Sequence, residues 1–356
     1  MAKVLMKGNE AIGEAAIRAG CLNYFAYPIT PQSEVAEYLS RRLPEVGGTF
    51  LQGESEVAVS YMIFGAAATG ERVFTTSSSP GISLMSEGIS YITAAQCPAV
   101  FVNIMRGGPG LGGILPSQAD YFQSVKGGGH GDYRLLVMAP ASVQEAVEMM
   151  MEAFALAEKY TNPVMILGDG LIGQMMEPVE FPDELKAPPS NKDAWATNGM
   201  GTRNSKERNL VKTLYLVPEE LNAHNLKLRD KYRQMERDEV RFEPYNLDCD
   251  YKVLIVSYGT MSRVCRTAID NFSEKGIDVG MIRPQTLFPF PLEAVYQAAA
   301  RQGCQAVLSV EMNMGQMLED VERAVKGKRP VSWYGKCGGE VPTPEEVMEA
   351  VENLMQ

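Results

Sequence analysis

The chain has 356 residues, 45% hydrophobic and 22% charged, enough for two or three domains with real cores. A formal net charge of -11 leaves no basic stripe for a phosphate backbone, so nucleic acid is excluded as a partner. No apolar run reaches the roughly 18 residues of a membrane span, and the opening MAKVLMKGNEAIGE lacks the apolar centre and cleavage site of a secretory signal, so a cytoplasmic protein with no membrane partner is expected.

From residue 1 to 182, short β-rich runs alternate with helical stretches: KVLM then GNEAIGEAAIRAG, NYFAYPI then PQSEVAEYLSRRL, RVFTTS then GISLMSEGISYITAA, AVFVNIM, LLVMAP then SVQEAVEMMMEAFALAEKY, and PVMIL. Alternation of this kind predicts an α/β fold with a mostly parallel sheet covered on both faces. Ligands of such sheets sit beyond the carboxyl ends of the strands. Within this part, LQGESEVAVSYMIFGAAATG (51–70) reads as a helix that is apolar on every side, the pattern of burial in a large core. Residues 183–250 turn polar and charged and read as a linker with one surface helix, on which His224 is expected to be inert. From 251 to 356 the alternation resumes in a second, smaller doubly wound unit.

Five places carry candidate chemistry. In YPITPQSE, Thr30 suits an N-cap with Pro31 at the first helical position; free N–H groups there also make a seat for a carboxylate. Glu54 and Glu56 precede the apolar helix. A first-turn acid suits the helix dipole, yet Glu56 is flanked by Val57, Ala58 and Val59, where a partly desolvated acid is able to trade a proton with a ligand nitrogen. TTSSSPG offers small hydroxyl residues and Gly81, either for close approach of a ligand to backbone or as ordinary loop chemistry. Arg106 leaves an apolar strand for the glycine-rich GGPGLGG, placed to hold a carboxylate by paired hydrogen bonds or simply to be solvated. His130 lies in GGGHGDYR and suits a base, a ligand contact or a plain loop residue.

Two patterns fail as cofactor motifs. The glycines of VLMKGNEAIGEAAIRAG match neither a dinucleotide nor a Walker loop. Gly168-Asp169-Gly170 imitates the start of the thiamine diphosphate and magnesium motif, but Pro178, Pro182 and Pro188 interrupt the helix that this motif needs next, so a strand-end turn and no metal site are expected. Cys21, Cys97, Cys249, Cys265, Cys304 and Cys337 form no C-x-x-C pair; they signal neither zinc nor an iron-sulfur cluster and are expected as thiols in a reducing compartment.

Taken together, YPITPQSE, LQGESEVAV, TTSSSPG, NIMRGGPGLGG, LPSQADYFQ, GGGHGDYR, MIRPQTLFPFP and SVEMNMGQM resemble the α subunit of the 2-oxoacid:ferredoxin oxidoreductases over essentially the whole chain. The branched-chain (3-methyl-2-oxobutanoate) type is nearest and the 2-oxoglutarate type next. The resemblance implies a thiamine diphosphate-fold pyrimidine domain (1–182), the linker (183–250) and a transketolase C-terminal-like domain (251–356). It assigns Glu56 to N1′ of the aminopyrimidine, where it promotes the tautomer that deprotonates thiazolium C2. Glu54 remains a helix-edge charge or a supporting partner behind the site. Thr30 and Arg106 would contact the oxoacid, and Ser77, Ser79 and Gly81 would line the pyrimidine pocket. CoA would be co-substrate. The diphosphate, Mg2+ and iron-sulfur clusters would belong to a β subunit, a γ subunit and a ferredoxin-like δ subunit, with ferredoxin as electron acceptor. A transketolase-like or lipoamide-linked dehydrogenase half and a noncatalytic binding module stand as alternatives.

Overall fold

Val, Ile and Phe crowd the short apolar runs, and β-branched and aromatic side chains fit a sheet buried on both faces. The computed structural model describes residues 3–182, 192–199 and 208–356. Its first part runs β1 (Val4–Lys7), α1 (Gly8–Arg18), β2 (Asn23–Ala26), α2 (Ser33–Glu45), β3 (Thr49–Gln52), α3 (Glu56–Ala68), β4 (Val73–Ser77), α4 (Ser79–Ala94), β5 (Val100–Met105), β6 (Leu136–Met138), α5 (Val143–Tyr160), β7 (Val164–Asp169), α6 (Gly170–Gln174) and β8 (Met176–Val179). The rest runs α7 (Pro218–Asp238), β9 (Phe242–Tyr245), β10 (Val253–Val256), α8 (Gly259–Glu274), β11 (Val279–Pro284), β12 (Thr286–Phe288), α9 (Leu292–Ala299), β13 (Ala306–Glu311), α10 (Leu318–Val325), β14 (Val331–Gly335) and α11 (Pro344–Met355).

The large sheet has the order β3-β2-β4-β5-β7-β6-β12. Its first six strands are parallel, and every residue of β4, β5 and β7 is buried. The order reverses around β2, which has β3 on one side and β4 on the other, so a crevice opens beyond the strand ends there. The smaller sheet has the order β14-β13-β10-β11-β9, parallel except for β9. The units exchange structure: β12, between β11 and α9, pairs antiparallel with β6 of the large sheet.

Helices α1, α2 and α5 cover one face of the large sheet around Leu39, Val147 and Phe154. On the other face, α3 and α4 share a continuous core with the second unit, in which Tyr121 packs on Tyr258 at 5.9 Å between ring centroids. Within 183–250, α7 buries Leu228, Tyr232 and Met235 against the first unit. His224 serves as a fastener there: its Nε2 lies 2.8 Å from the Ala94 carbonyl and its ring stacks on Tyr215. The same stretch contributes β9, whose alternating burial suits an edge strand.

One expectation is overturned. Helix α3 is not enclosed: Val59 and Ile63 are buried, but Val57 is 40% and Tyr61 38% exposed, and Leu84 of α4 is 54% exposed. The helix is apolar all round, yet only one of its faces meets the core, and the other presents apolar side chains at the surface.

Candidate active site

Five strand ends converge on the crevice. Residues after β2 bring Thr30, residues after β3 bring Glu56, β4 ends in Ser77, Arg106 follows β5, and β7 ends in Asp169. Ser55 caps α3 by accepting from the Ala58 N–H at 3.2 Å, which fixes Glu56 as the first helical residue. Glu56 is 5% exposed, and among the described residues no group donates a hydrogen bond to it. Its carboxylate oxygens, unlike the neighbouring hydroxyls, are not fully enclosed, which leaves a narrow opening through which a ligand donor can reach them.

Gly81 makes the room. A Cβ there would overlap Ser77 Oγ and stand 2.8 Å from Glu56 Oε1, so the absence of a side chain lets α4 start directly beside the acid. The hydroxyls of Thr75, Ser77 and Ser78 are buried and unpartnered. Thr76, pointing to the opposite face, is satisfied by Tyr24 at 2.7 Å and by Gln32. Structure thus brings Glu56, Ser77 and Gly81 together.

The start of α2 differs from expectation. The helix begins at Ser33 after Gln32, so neither Thr30 nor Pro31 has the predicted capping place. Tertiary donors hold the turn outside the helix: Asn9 Nδ2 reaches the Pro31 carbonyl at 2.8 Å and Arg106 reaches the Thr30 carbonyl at 2.9 Å. The exposed Thr30 side chain makes no hydrogen bond among the described residues. Arg106, 7% exposed, gives its other amino group to the Leu111 carbonyl at 3.1 Å, and its Nε is buried without a partner. Gly112, at φ +58, turns the 107–113 loop back over itself to present that carbonyl.

Ser79 points away from Glu56 into a second cluster. Its hydroxyl donates to Asp120 Oδ2 at 2.5 Å and accepts from the Arg106 N–H at 3.0 Å. Asn103 donates to Asp120 at 2.9 Å and accepts from the Ser79 N–H at 3.0 Å. Burial pushes the Asp120 carboxyl above the usual aspartate range, against those donors and the Arg106 charge. Sequence reasoning missed both residues. Asn103 had a signal, an amide inside the apolar run VFVNIM; Asp120 looked like an ordinary loop acid.

His130 is not brought to this crevice. It is exposed, its carbonyl accepts from Ser90 and its ring meets Tyr91 at 6.0 Å. Ten residues of α4 separate Tyr91 from Gly81, about 15 Å at the helical rise. Glu54 stays at the exposed helix edge, 3.4 Å from Ser55 Oγ. Asp169 caps α6, accepting from the Leu171 and Ile172 N–H groups at 2.9 and 3.2 Å and from Thr260 at 3.0 Å; burial raises its carboxyl. No group of three metal-ligating side chains occurs among the described residues, and all six cysteines are unpaired.

A buried acid that no described residue donates to, packed against Ser77 and Gly81 at the switch point of a parallel sheet joined to a smaller doubly wound unit, fits an α/β protein of the thiamine diphosphate-binding and transketolase-like class. The family model "Pyruvate flavodoxin/ferredoxin oxidoreductase, thiamine diP-bdg" matches residues 14–241, and "Pyruvate:ferredoxin oxidoreductase core domain II" matches 252–347. The chain belongs to the 2-oxoacid:ferredoxin oxidoreductase family of thiamine diphosphate-dependent oxidoreductase subunits. It is 47% identical to the ketoisovalerate oxidoreductase subunit VorB of Methanothermobacter thermautotrophicus, over 99% of this chain and 98% of that one. It is 37% identical to the 2-oxoglutarate synthase subunit KorA of Archaeoglobus fulgidus, over 98% of each. The solved 2-oxoglutarate:ferredoxin oxidoreductase from Magnetococcus marinus, with 2-oxoglutarate, coenzyme A and succinyl-CoA bound, superposes at TM-score 0.88 and 27% identity; it covers all of this chain, which spans 66% of that one. A split-gene transketolase at TM-score 0.60 and 14% identity shares the fold.

Proposed function

We propose that this chain is the α subunit of a cytoplasmic assembly that oxidatively decarboxylates a branched-chain 2-oxoacid, reversibly, forming acyl-CoA and passing electrons singly to ferredoxin. The single observation that carries the reading is Glu56, buried, without a donor among the described residues and packed closely against Ser77 and Gly81. The unpartnered Ser77 hydroxyl, packed against Gly81, suits the polar edge of an aminopyrimidine in the same place. The branched-chain preference is supported by the 47% identity to a ketoisovalerate oxidoreductase subunit.

In this reading Glu56, Ser77 and Gly81 hold the pyrimidine end of thiamine diphosphate, which when bound supplies the carbanion stabilisation that decarboxylation needs, while Ser79, expected in the same pocket, is instead engaged by Asp120 and the Arg106 N–H. Glu56 holds and returns a proton at its carboxylate, shielded from bulk water by α3, α4 and β4. Arg106, its two amino groups held by the Thr30 and Leu111 carbonyls, brings positive charge toward the substrate carboxylate, and the exposed Thr30 hydroxyl is free to donate beside it.

The remaining parts belong to partners. Asp169 is consumed as a helix cap, and the cysteines are dispersed. A β subunit bearing the diphosphate, Mg2+ and a cluster, a γ subunit and a ferredoxin-like δ subunit are therefore inferred, and the apolar face of Val57, Tyr61 and Leu84 suits burial against one of them.

The test is isolation of the native assembly and side-by-side assay of methyl viologen reduction with 2-oxoisovalerate, 2-oxoglutarate and pyruvate. The highest kcat/KM is expected for 2-oxoisovalerate, and this chain alone should be silent. Preference for 2-oxoglutarate would reassign the substrate; activity without thiamine diphosphate would remove the reading altogether.

A further inference from the structure

The loop between β5 and β6 is bound on two sides. Toward the second unit, Gln118 spends every polar atom: its N–H donates to the Met312 carbonyl at 3.0 Å and its Oε1 accepts from the Met312 N–H at 3.0 Å. Its Nε2 donates to the Tyr258 carbonyl at 2.9 Å, and its carbonyl accepts from Asn313 at 2.8 Å. Three residues on, the Tyr121 hydroxyl donates to Asp320 at 2.7 Å. Asp120, between these anchors, turns its carboxylate the other way, into the first unit. There Oδ2 takes both Ser79 and Asn103, while Oδ1 makes no hydrogen bond among the described residues.

We propose that Asp120 is a positioning residue: through the Ser79 hydroxyl it fixes the backbone of Arg106 and the first turn of α4, locking carboxylate clamp and pyrimidine pocket in one register with the second unit. This rests on the proposed function for what the clamp and pocket hold. The path is short and continuous. Asp120 orients the Ser79 hydroxyl so that its lone pair faces the Arg106 N–H, and Ser79 stands two residues before Gly81. Removal of the acid leaves the buried Asn103 amide without its acceptor and frees the Ser79 hydroxyl to turn to the Arg106 carbonyl, 3.3 Å away, which loosens the direction of its bond from the Arg106 N–H.

The test uses the assembled complex with Asp120→Ala, Asp120→Asn, Ser79→Ala and the Asp120→Ala/Ser79→Ala double variant. Asp120→Ala should raise KM for 2-oxoisovalerate about 10-fold or more, the scale of one lost charge-assisted hydrogen bond, with a smaller change in kcat. Asp120→Asn keeps an oxygen for Ser79 and Asn103 and puts its NH2 where Oδ1 was free, so it should recover most of that loss. Ser79→Ala should match Asp120→Ala, and the double variant should add little, because both act along one path. Without any cofactor or substrate, amide hydrogen exchange of the peptide containing Arg106 should quicken in Asp120→Ala and stay slow in Asp120→Asn. If Asp120→Ala fails to assemble, Asp120→Asn and Ser79→Ala carry the same expectations. The proposal is overturned by unchanged exchange and KM in the Ala variants, by independent addition in the double variant, or by an Asn variant that loses kcat at unchanged KM, which would make Asp120 a proton-transfer group. Glu56→Gln belongs in the same series: if it is fully active the functional reading fails, whereas its inactivity beside an unaffected Asp120→Ala sinks this inference alone.

Discussion

Two buried glutamates, one in each unit, stand at the carboxyl end of a parallel sheet and are treated in opposite ways. Glu311 ends β13 and is fully buried, with Oε2 accepting from the Met317 N–H at 2.7 Å and Oε1 from the Leu318 N–H at 3.0 Å and the Ser309 hydroxyl at 2.8 Å. Glu56 begins α3 and receives no hydrogen bond from any described residue. Similar chemistry is thus structural where donors are supplied and open to a ligand where they are withheld. Burial raises the Glu311 carboxyl despite its donors, so even the satisfied acid is held at some cost.

The largest expected effects separate those acids. Glu56→Gln in the reconstituted complex should lower kcat by about 10² to 10⁴ while thermal stability holds, because the proposed role is a proton relay and no hydrogen bond within the fold rests on it among the described residues. Activity within threefold of wild type would erase the distinction between the two sites. Glu311→Ala should do the reverse, costing about 2–4 kcal/mol in denaturant unfolding by stranding two N–H groups and a hydroxyl, with kcat of the folded fraction retained. Next comes Gly81→Ala, whose methyl group would press on Ser77 and Glu56. Thiamine diphosphate affinity measured by titration should fall at least about 10-fold, and unchanged affinity would empty the pocket assignment. Arg106→Lys keeps the charge but loses the planar fork, so KM for the oxoacid should rise about 10-fold with kcat less affected.

The smallest effect concerns pH and the contact between the units. Burial opposes ionisation of Glu145, yet its paired bonds from Arg283, at 2.8 and 2.9 Å, hold the carboxyl below the usual glutamate range. The folded value lies below the unfolded one, so this contribution is complete above about pH 4.3 and is lost as pH falls through the depressed folded value. Melting temperatures taken from pH 6 downward should therefore drop less steeply in Glu145→Gln than in wild type; parallel slopes would remove Glu145 from the acid response.

Local signals carried much of this architecture. Alternating apolar runs gave both parallel sheets, since strands buried on two faces need continuous Val, Ile and Phe. The burial of Glu56 and Arg106 beside strand ends was expected from charged groups at the edges of apolar runs, although the helix dipole or plain solvation also accounted for such residues in the sequence. What stayed hidden depends on partners far along the chain. The start of α2 shifts because side chains from α1 and the end of β5 take the Pro31 and Thr30 carbonyls. Asp120 and Gln118 gain their roles through contacts with Ser79 and with residues 258–313, which no window on the loop contains. The open side of α3 was read as core because apolar composition does not say which molecule covers it. Strand β12 is only three residues long and sits within MIRPQTLFPFP, so nothing local marks it as part of the other unit's sheet.

That short strand bears on how the gene tolerates division. Thr286–Phe288 lies along the outer side of β6, whose own backbone would otherwise be the unpaired border of a six-stranded sheet. Expression of residues 1–250 without the remainder would bare that border and invite strand-to-strand aggregation, whereas a split placed after β12 would keep it covered.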